Sequence, residues 1–261
     1  MIKRIIILYR HFLILLTSYS SWKNPFSPVF LTWYFSRKRI ERARPFFRGI
    51  VIDNGCGKKP YREVVNQTSR YIGFDYPQLV FDNKNIRREL QPDIYGDGFA
   101  LPFRAESIDC ILNTQVMEYV SEPDCFIQEI SRVLKRSGTI VMILPFTYPV
   151  HHLTHDFYRY TDSGISYLLK KNGFQIVWIK ANGGFWITIG QLFLYFLNFK
   201  FLFRSKHDFL WLLFGGIRLL LTPVILLFNC IFNVLALLLD RIHPEPYITL
   251  NYSLVAQKSE R

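Results

Sequence analysis

The spacing of apolar positions divides the chain into three stretches with different habits. Between residues 49 and 182, short apolar runs alternate with segments of helical spacing. Gly49-Ile50-Val51-Ile52-Asp53 reads as a buried strand ending in Asn54-Gly55-Cys56-Gly57, with Pro60 placed to open the next helix. Tyr71-Ile72-Gly73-Phe74-Asp75 reads as a second strand and Ser107 to Asn113 as a later one. Pro123 to Lys135 carries apolar residues at 126, 127, 130, 133 and 134, which is helical spacing; Ser137-Gly138 should break it before a strand from Thr139 to Leu144. Thr161-Asp162 can cap a helix that Asn172-Gly173 ends, and Phe174 to Ile179 is strand-like. Alternation of this kind predicts an α/β domain with a parallel sheet covered on both faces.

The flanks follow other patterns. In residues 1–17 a helix would gather Lys3, Arg4, Arg10 and His11 into a sector of about 120°, with Ile, Leu and Phe filling the rest. That suits a basic helix lying in a lipid interface, and equally a helix packed on the domain with its charges in water. Asn24-Pro25 and Ser27-Pro28 signal turns before an aromatic run, Phe30 to Phe35, and a basic helical stretch, Arg37 to Arg44. From 183 to 248 the chain is strongly apolar: Phe185 to Phe203 holds few polar residues, and Phe209 to Leu239 holds a single charge, Arg218, and a breaker, Pro223. Tyr247 to Gln257 returns to strand-like composition. The expected organisation is a basic arm (1–48), a core (49–182), an apolar helical insert (183–248) and a final core strand with a tail (249–261).

Composition sharpens this picture. A chain that is 50% hydrophobic and 17% aromatic is neither disordered nor collagen-like. The net charge of +12 is unevenly spread: +9 over residues 1–48 (ten basic, one acidic), zero over 49–182 (fifteen of each) and +3 over 183–261 (seven and four). A nucleic-acid groove would charge the folded middle, so no nucleic-acid partner is expected and the arm points to an anionic membrane surface. Cys56, Cys110, Cys125 and Cys230 have no C-x-x-C spacing, which fits reduced thiols in a cytosolic compartment rather than a disulfide framework or zinc site. Arg10 and His11 interrupt the first apolar stretch, so a secretory signal is not expected.

A buried strand, a glycine-rich turn and a helix bring backbone close to a nucleotide-like ligand. Here Pro60 stands where a dinucleotide fingerprint needs its third glycine, which disfavours a nicotinamide dehydrogenase. Asp53, two residues before Gly55, repels a pyrophosphate and suits a cationic amino-acid-like group; Asp75 ends the second strand where a carboxylate can hold ribose hydroxyls. Together they fit a nucleoside with a positively charged tail.

On these residues the sequence resembles the class I S-adenosylmethionine-dependent methyltransferases, specifically the methyltransferase type 11 family, over roughly residues 49–182. Val51 to Gly57 and Tyr71 to Asp75 look like its first two motifs, and Gly96 to Phe103 its adenine-flanking loop. Ser107 to Ile111 with Val116 to Val120 resembles its fourth strand and following turn, and Phe126 to Leu144 the next helix and strand. The resemblance implies a Rossmann-like seven-stranded sheet, its last strand antiparallel, with the apolar helical insert before that strand. It implies S-adenosylmethionine as cofactor, Asp53, Gly55 and Gly57 at the methionine end, and Asp75 on the ribose. Asp97 and Gly98 would meet the adenine edge, Phe99 its face, and Asn113 and Gln115 the sulfonium side. Two positions depart from the pattern. Lys59 replaces a frequent third glycine and should make the loop more positive; Tyr119 replaces a frequent histidine, removing one candidate base.

After the fifth strand, three of the six histidines fall within five residues, in His151-His152-Leu153-Thr154-His155-Asp156-Phe157-Tyr158-Arg159. The loop could hold a base, His151 or His155, oriented by Asp156, with Tyr158 and Arg159 toward the acceptor. It could instead hold a metal, although two nearby prolines argue against the helix that His151 and His155 would need, or Asp156 and Arg159 could simply pair. No metal is expected. Asp109 reads as a structural edge residue. The resulting expectation is a methyltransferase acting on oxygen of a small or lipid-linked acceptor (a glycan, a polyprenyl-linked sugar or a quinone-like ring) at the cytoplasmic face of a membrane. There the insert would be monotopic and the core would be seated by the basic arm. The rival is an inactive methyltransferase-like membrane scaffold.

Overall fold

The computed structural model describes residues 22–66, 70–77, 88–151, 154–198 and 215–259, of which 215–220 are described by their backbone alone. The expected helix 1–17 lies outside these residues. Contacts divide the chain into two compact units, one of residues 36–182 with 251–261 and one of residues 1–35 with 183–250.

The first unit is a seven-stranded sheet. Its strands are β1 (Ile50–Asn54), β2 (Arg70–Asp75), β3 (Ile94–Tyr95), β4 (Ile108–Thr114), β5 (Leu134–Pro145), β6 (Phe174–Ala181) and β7 (Asn251–Lys258), in the order β3-β2-β1-β4-β5-β7-β6. The pairs from β3 to β5 are parallel, whereas β7 runs antiparallel between β5 and β6. This is the doubly wound arrangement with its last strand reversed, and the apolar insert precedes that strand as expected. Parallel strands covered on both faces need continuous apolar runs, which is why Val51, Ile52, Ile111, Leu112 and Ile140 through Leu144 are buried. The strand order reverses direction between β1 and β4, so a crevice opens at their C-terminal ends, after Asn54 and Thr114.

Among the described residues, three helices carry crossovers. Pro123–Val133 buries Phe126, Ile127, Ile130 and Val133 against the sheet. Asp162–Lys171 starts where Thr161 Oγ1 accepts the Gly164 N–H at 3.0 Å, and ends at Gly173, whose φ of +83° suits only glycine. Arg62–Val65 is a single turn that begins two residues after Pro60; Pro60 lies in the preceding turn and does not open the helix. Ser137-Gly138 does not end an element either. Strand β5 starts already at Leu134 and carries the pair as an irregularity: Leu134 faces Ile108, yet Thr139 faces Cys110. The extra residues form a bulge in which Ser137 takes the left-handed conformation (φ +58°). Asp109 is structural as read, accepting the Ile50 N–H at 2.8 Å and pairing with Lys135 at 2.7 Å.

In the second unit the chain from Trp22 forms turns and then the first described helix, α1 (Phe30–Arg42), whose start joins this unit; the aromatic run and the basic stretch after it are one helix. Among the described residues two apolar helices follow β6: α5 (Phe185–Tyr195) and α6 (Gly215–Ile242), counting the three crossover helices as α2 to α4. Pro223 lies inside α6, which continues through it. Leu221–Ile242 is long and apolar enough to cross a membrane, and only 22% of its most apolar window is buried.

Candidate active site

The crevice is built first by the turn after β1. Gly55 sits at φ +83°, and a Cβ there would lie 2.2 Å from Val116 Cγ2, so both backbone and space demand glycine. Gly57, at φ +49°, has nothing within 4 Å of where a Cβ would stand, which leaves its backbone open to a ligand. Its N–H donates to Asp75 Oδ2 at 2.7 Å, and Tyr76 N–H donates to Asp75 Oδ1 at 2.8 Å. The carboxylate at the end of β2 thus ties the glycine turn to its neighbour while each oxygen keeps a lone pair for a hydroxyl. Burial raises the Asp75 carboxyl above its ordinary range, and these two N–H donors oppose that shift.

Asp53 is fully buried at the end of β1. Its Oδ2 accepts the Tyr71 hydroxyl at 2.6 Å, while Oδ1 has no hydrogen-bond partner among the described residues. Burial pushes this carboxyl up to about 7; Tyr71 opposes the shift and Asp75 adds to it. Asn113, at the end of β4, donates to Asn54 O at 3.2 Å and leaves its buried Oδ1 without a partner among the described residues. Buried acceptors left open in this way are costly and ask for a donor. An ammonium or hydroxyl-bearing ligand supplies one. Gln115 (φ +55°) is held by its Nε2 donating to Asn251 Oδ1 on β7 at 3.1 Å.

Lys59 takes the left-handed conformation (φ +55°) in which a glycine would be at ease, and its Nζ pairs with Asp93 at 2.6 Å. The expectation of a more positive loop is therefore corrected, because the added charge is neutralised. In the loop after β3, Asp97 is exposed and accepts the Phe99 N–H at 2.9 Å. Gly98 lies against Phe126, where a Cβ would come within 2.6 Å, and the half-open Phe99 ring meets Phe126 edge-on at 5.8 Å.

The loop after β5 gathers a second group. His151 Nε2 lies 2.5 Å from the Tyr119 hydroxyl, and its Nδ1 lies 3.1 Å from Pro149 O. A carbonyl can only accept, so Nδ1 carries the proton and Nε2 accepts from Tyr119. Asp156 accepts the His151 backbone N–H at 3.0 Å and stands 3.4 Å from Nδ1. Arg159 grips the same carboxylate with both terminal nitrogens and, as the largest cause, holds it down at about 2. His155 is exposed and bonded to Thr154, not joined to this cluster, while Tyr158 donates to Ser121 O at 3.2 Å. His152 lies outside the described residues. Among the described residues, no three His, Cys, Asp or Glu side chains converge to hold a metal.

Two participants, Tyr71 and Glu118, were not singled out from the chain, and Tyr119 stood there only as the loss of a base. Tyr71 is 18 residues from Asp53 and Tyr119 is 32 from His151, and only strand pairing and loop return bring each pair together. Glu118 is fully buried with neither carboxylate oxygen bonded among the described residues, and burial pushes it up to about 8. Its backbone carbonyl accepts from Phe157 N–H at 2.7 Å, pinning the loop after β5 onto the turn after β4.

Residues 52–142 match a family described as a methyltransferase domain. An uncharacterised methyltransferase of Bacillus subtilis, YodH, is 32% identical over 162 residues, covering 54% of this chain and 66% of that one. An uncharacterised 37.1 kDa protein in a Streptomyces fradiae transposon is 32% identical over 99 residues, covering 35% and 29%. The matches thus span less than two thirds of these relatives' own length. The crystal structure of an S-adenosylmethionine-dependent methyltransferase from Archaeoglobus fulgidus shares the fold, with a TM-score of 0.52 at 14% identity over 86% of this chain and 94% of that one. Sheet order, glycine turn and family match agree: residues 52–142 form a methyltransferase domain, set in the seven-stranded fold of S-adenosylmethionine-dependent methyltransferases.

Proposed function

We propose that this chain transfers a methyl group from S-adenosylmethionine to an oxygen of a small or lipid-linked acceptor at the cytoplasmic face of a membrane. The observation that carries the cofactor half is the open Gly57 backbone flanked by Asp75 and by the unpartnered oxygens of Asp53 and Asn113. When bound, the cofactor supplies an electrophilic methyl on a sulfonium. Asp53 would accept from its ammonium, Asp75 from its ribose hydroxyls, and Phe99 would lie beside its adenine. Asn113 and Gln115 would border the reacting end.

Displacement at a sulfonium needs alignment more than covalent help, but a hydroxyl acceptor must lose its proton. His151 is suited to take it. Its Nδ1–H is committed to Pro149 O, so Nε2 is the basic nitrogen, and the ionised Asp156 beside the ring favours the imidazolium that forms. An acceptor hydroxyl would take the place at Nε2 that Tyr119 fills here. Support for a lipid-linked acceptor comes from the basic arm and the apolar insert, which favour a membrane-seated enzyme.

Calorimetric titration with S-adenosylmethionine tests the cofactor site: Asp75→Ala should bind at least tenfold more weakly than wild type, and equal affinity would remove Asp75 from it. The second reading, an inactive scaffold, draws on the occupied imidazole and the two backbone bonds to Asp75. Tight cofactor binding with no labelled product in cell extract, read by mass spectrometry, would favour it.

A further inference from the structure

Helix α6 is built inside out. Its buried positions between 221 and 239 are Thr222, Asn229, Asn233 and Ala236, at helical spacings of seven, four and three. Every exposed position from 221 to 238 is apolar: Leu221, Pro223, Val224, Leu227, Phe228, Ile231, Val234, Leu235 and Leu238. A helix of a water-soluble protein turns its apolar stripe inward and its polar face outward. This one does the reverse.

The buried side is held by amides. Asn229 and Asn198 exchange reciprocal hydrogen bonds at 3.1 and 3.2 Å. Asn229 also donates to Phe26 O at 3.2 Å, and Asn233 to Pro25 O and Ser27 O at 2.7 and 3.0 Å. Gln191 of α5 donates to Pro28 O at 2.5 Å and accepts the Thr32 N–H at 3.2 Å. Where the helices meet, Gly190 stands so close to Ala236 that a Cβ on the glycine would be 3.0 Å from the alanine methyl. Small residues at the crossing and interhelical amides are how helices associate when the surroundings are as apolar as their side chains.

From these observations we infer that α6 is immersed in the acyl-chain layer of a bilayer, with the stripe from Leu221 to Leu238 facing lipid and the amide spine facing the protein. Length agrees. Residues 221–242 rise about 33 Å at 1.5 Å per residue, against a hydrocarbon thickness of about 30 Å. The absence of a polar exposed residue between 221 and 238 also separates immersion from surface seating, because an interfacial helix keeps a charged face in water. Asp240 and Arg241 appear only at the end of the stripe, and Asp240 is drawn back to the Gly184 N–H at 3.0 Å. The inference deepens the membrane part of the proposed function and does not depend on which acceptor is methylated.

The test uses the full chain with vesicles of phosphatidylcholine and phosphatidylglycerol (3:1) containing a lipid with a diazirine at the end of its acyl chain. After flotation and illumination, peptide mass spectrometry should place adducts on exposed residues of the stripe such as Leu227, Ile231 and Leu235, and not on Asn229 or Asn233. A Val224→Glu/Ile231→Glu/Leu238→Glu variant should partition into the vesicles at least tenfold less while retaining S-adenosylmethionine affinity. Flotation without adducts in 221–242 would overturn immersion and leave membrane seating through other segments. Adducts obtained only from a headgroup-linked diazirine would overturn it in favour of surface seating. Failure to float, with wild-type dimers that the variant disperses, would assign the stripe to a second copy and remove the membrane reading as well.

Discussion

Asp53 offers the sharpest link between the site and the stability of the fold. A carboxyl whose pKa rises from 3.8 in the unfolded chain to about 7 in the folded one binds its proton more tightly when folded. Folding is then unpenalised below about pH 4, loses stability as pH climbs between the two values, and levels off above the upper one. A difference of about 3 units corresponds to about 4 kcal/mol at the plateau, of which about 2 kcal/mol is lost between pH 5.5 and 8. The perturbation is Asp53→Asn, which keeps an acceptor for the Tyr71 hydroxyl and removes the buried charge. Urea unfolding of the cofactor-free protein in micelles, followed by circular dichroism at pH 5.5 and 8.0, gives the comparison. The wild type should lose about 2 kcal/mol more than the variant across that interval, and the variant should be the more stable protein at pH 8. Cofactor should reverse the order, because its ammonium would pair with the ionised Asp53 and has no such partner in the variant. Parallel pH dependence of the two proteins would refute the reasoning, since it would mean that Asp53 is solvated or already paired.

Two further substitutions bear on the same crevice. Gly55→Ala combines a φ of +83° with a Cβ placed 2.2 Å from Val116 Cγ2, so it should cost about 2 kcal/mol or more and lower the thermal midpoint by several degrees; an unchanged melting curve would show that the turn relaxes freely. His151→Ala should lower kcat by about a hundredfold with cofactor affinity intact, and an unchanged rate in a single-turnover assay would take the proton-accepting role away from His151.

Local chemistry in the chain is enough to specify the sheet and the cofactor turn. Strand runs such as Ile50 to Ile52 are apolar because both faces are covered, and Gly55 and Gly57 mark a turn that only glycine makes easily; both are short-range constraints written in consecutive residues. Even Thr161 at a helix start and Gly173 past its end follow from backbone groups a few residues away. Other features depend on positions distant in sequence. Ser137-Gly138 reads as a break, yet the β4 partner keeps it within a strand as a bulge, because cross-strand hydrogen bonds outweigh local turn preference. Tyr119 reads as the loss of a histidine, and only the return of the loop after β5 sets its hydroxyl on His151 Nε2. The loop likewise separates His155 from Asp156 and gives that carboxylate to Arg159. In the insert, apolar composition is plain in the chain, but helical residues at 100° intervals have no inside or outside until a neighbour is packed against them. Tertiary contact with α5 and the turns at residues 25–28 turned the asparagines inward and left the aliphatic face outward, which composition alone could not decide.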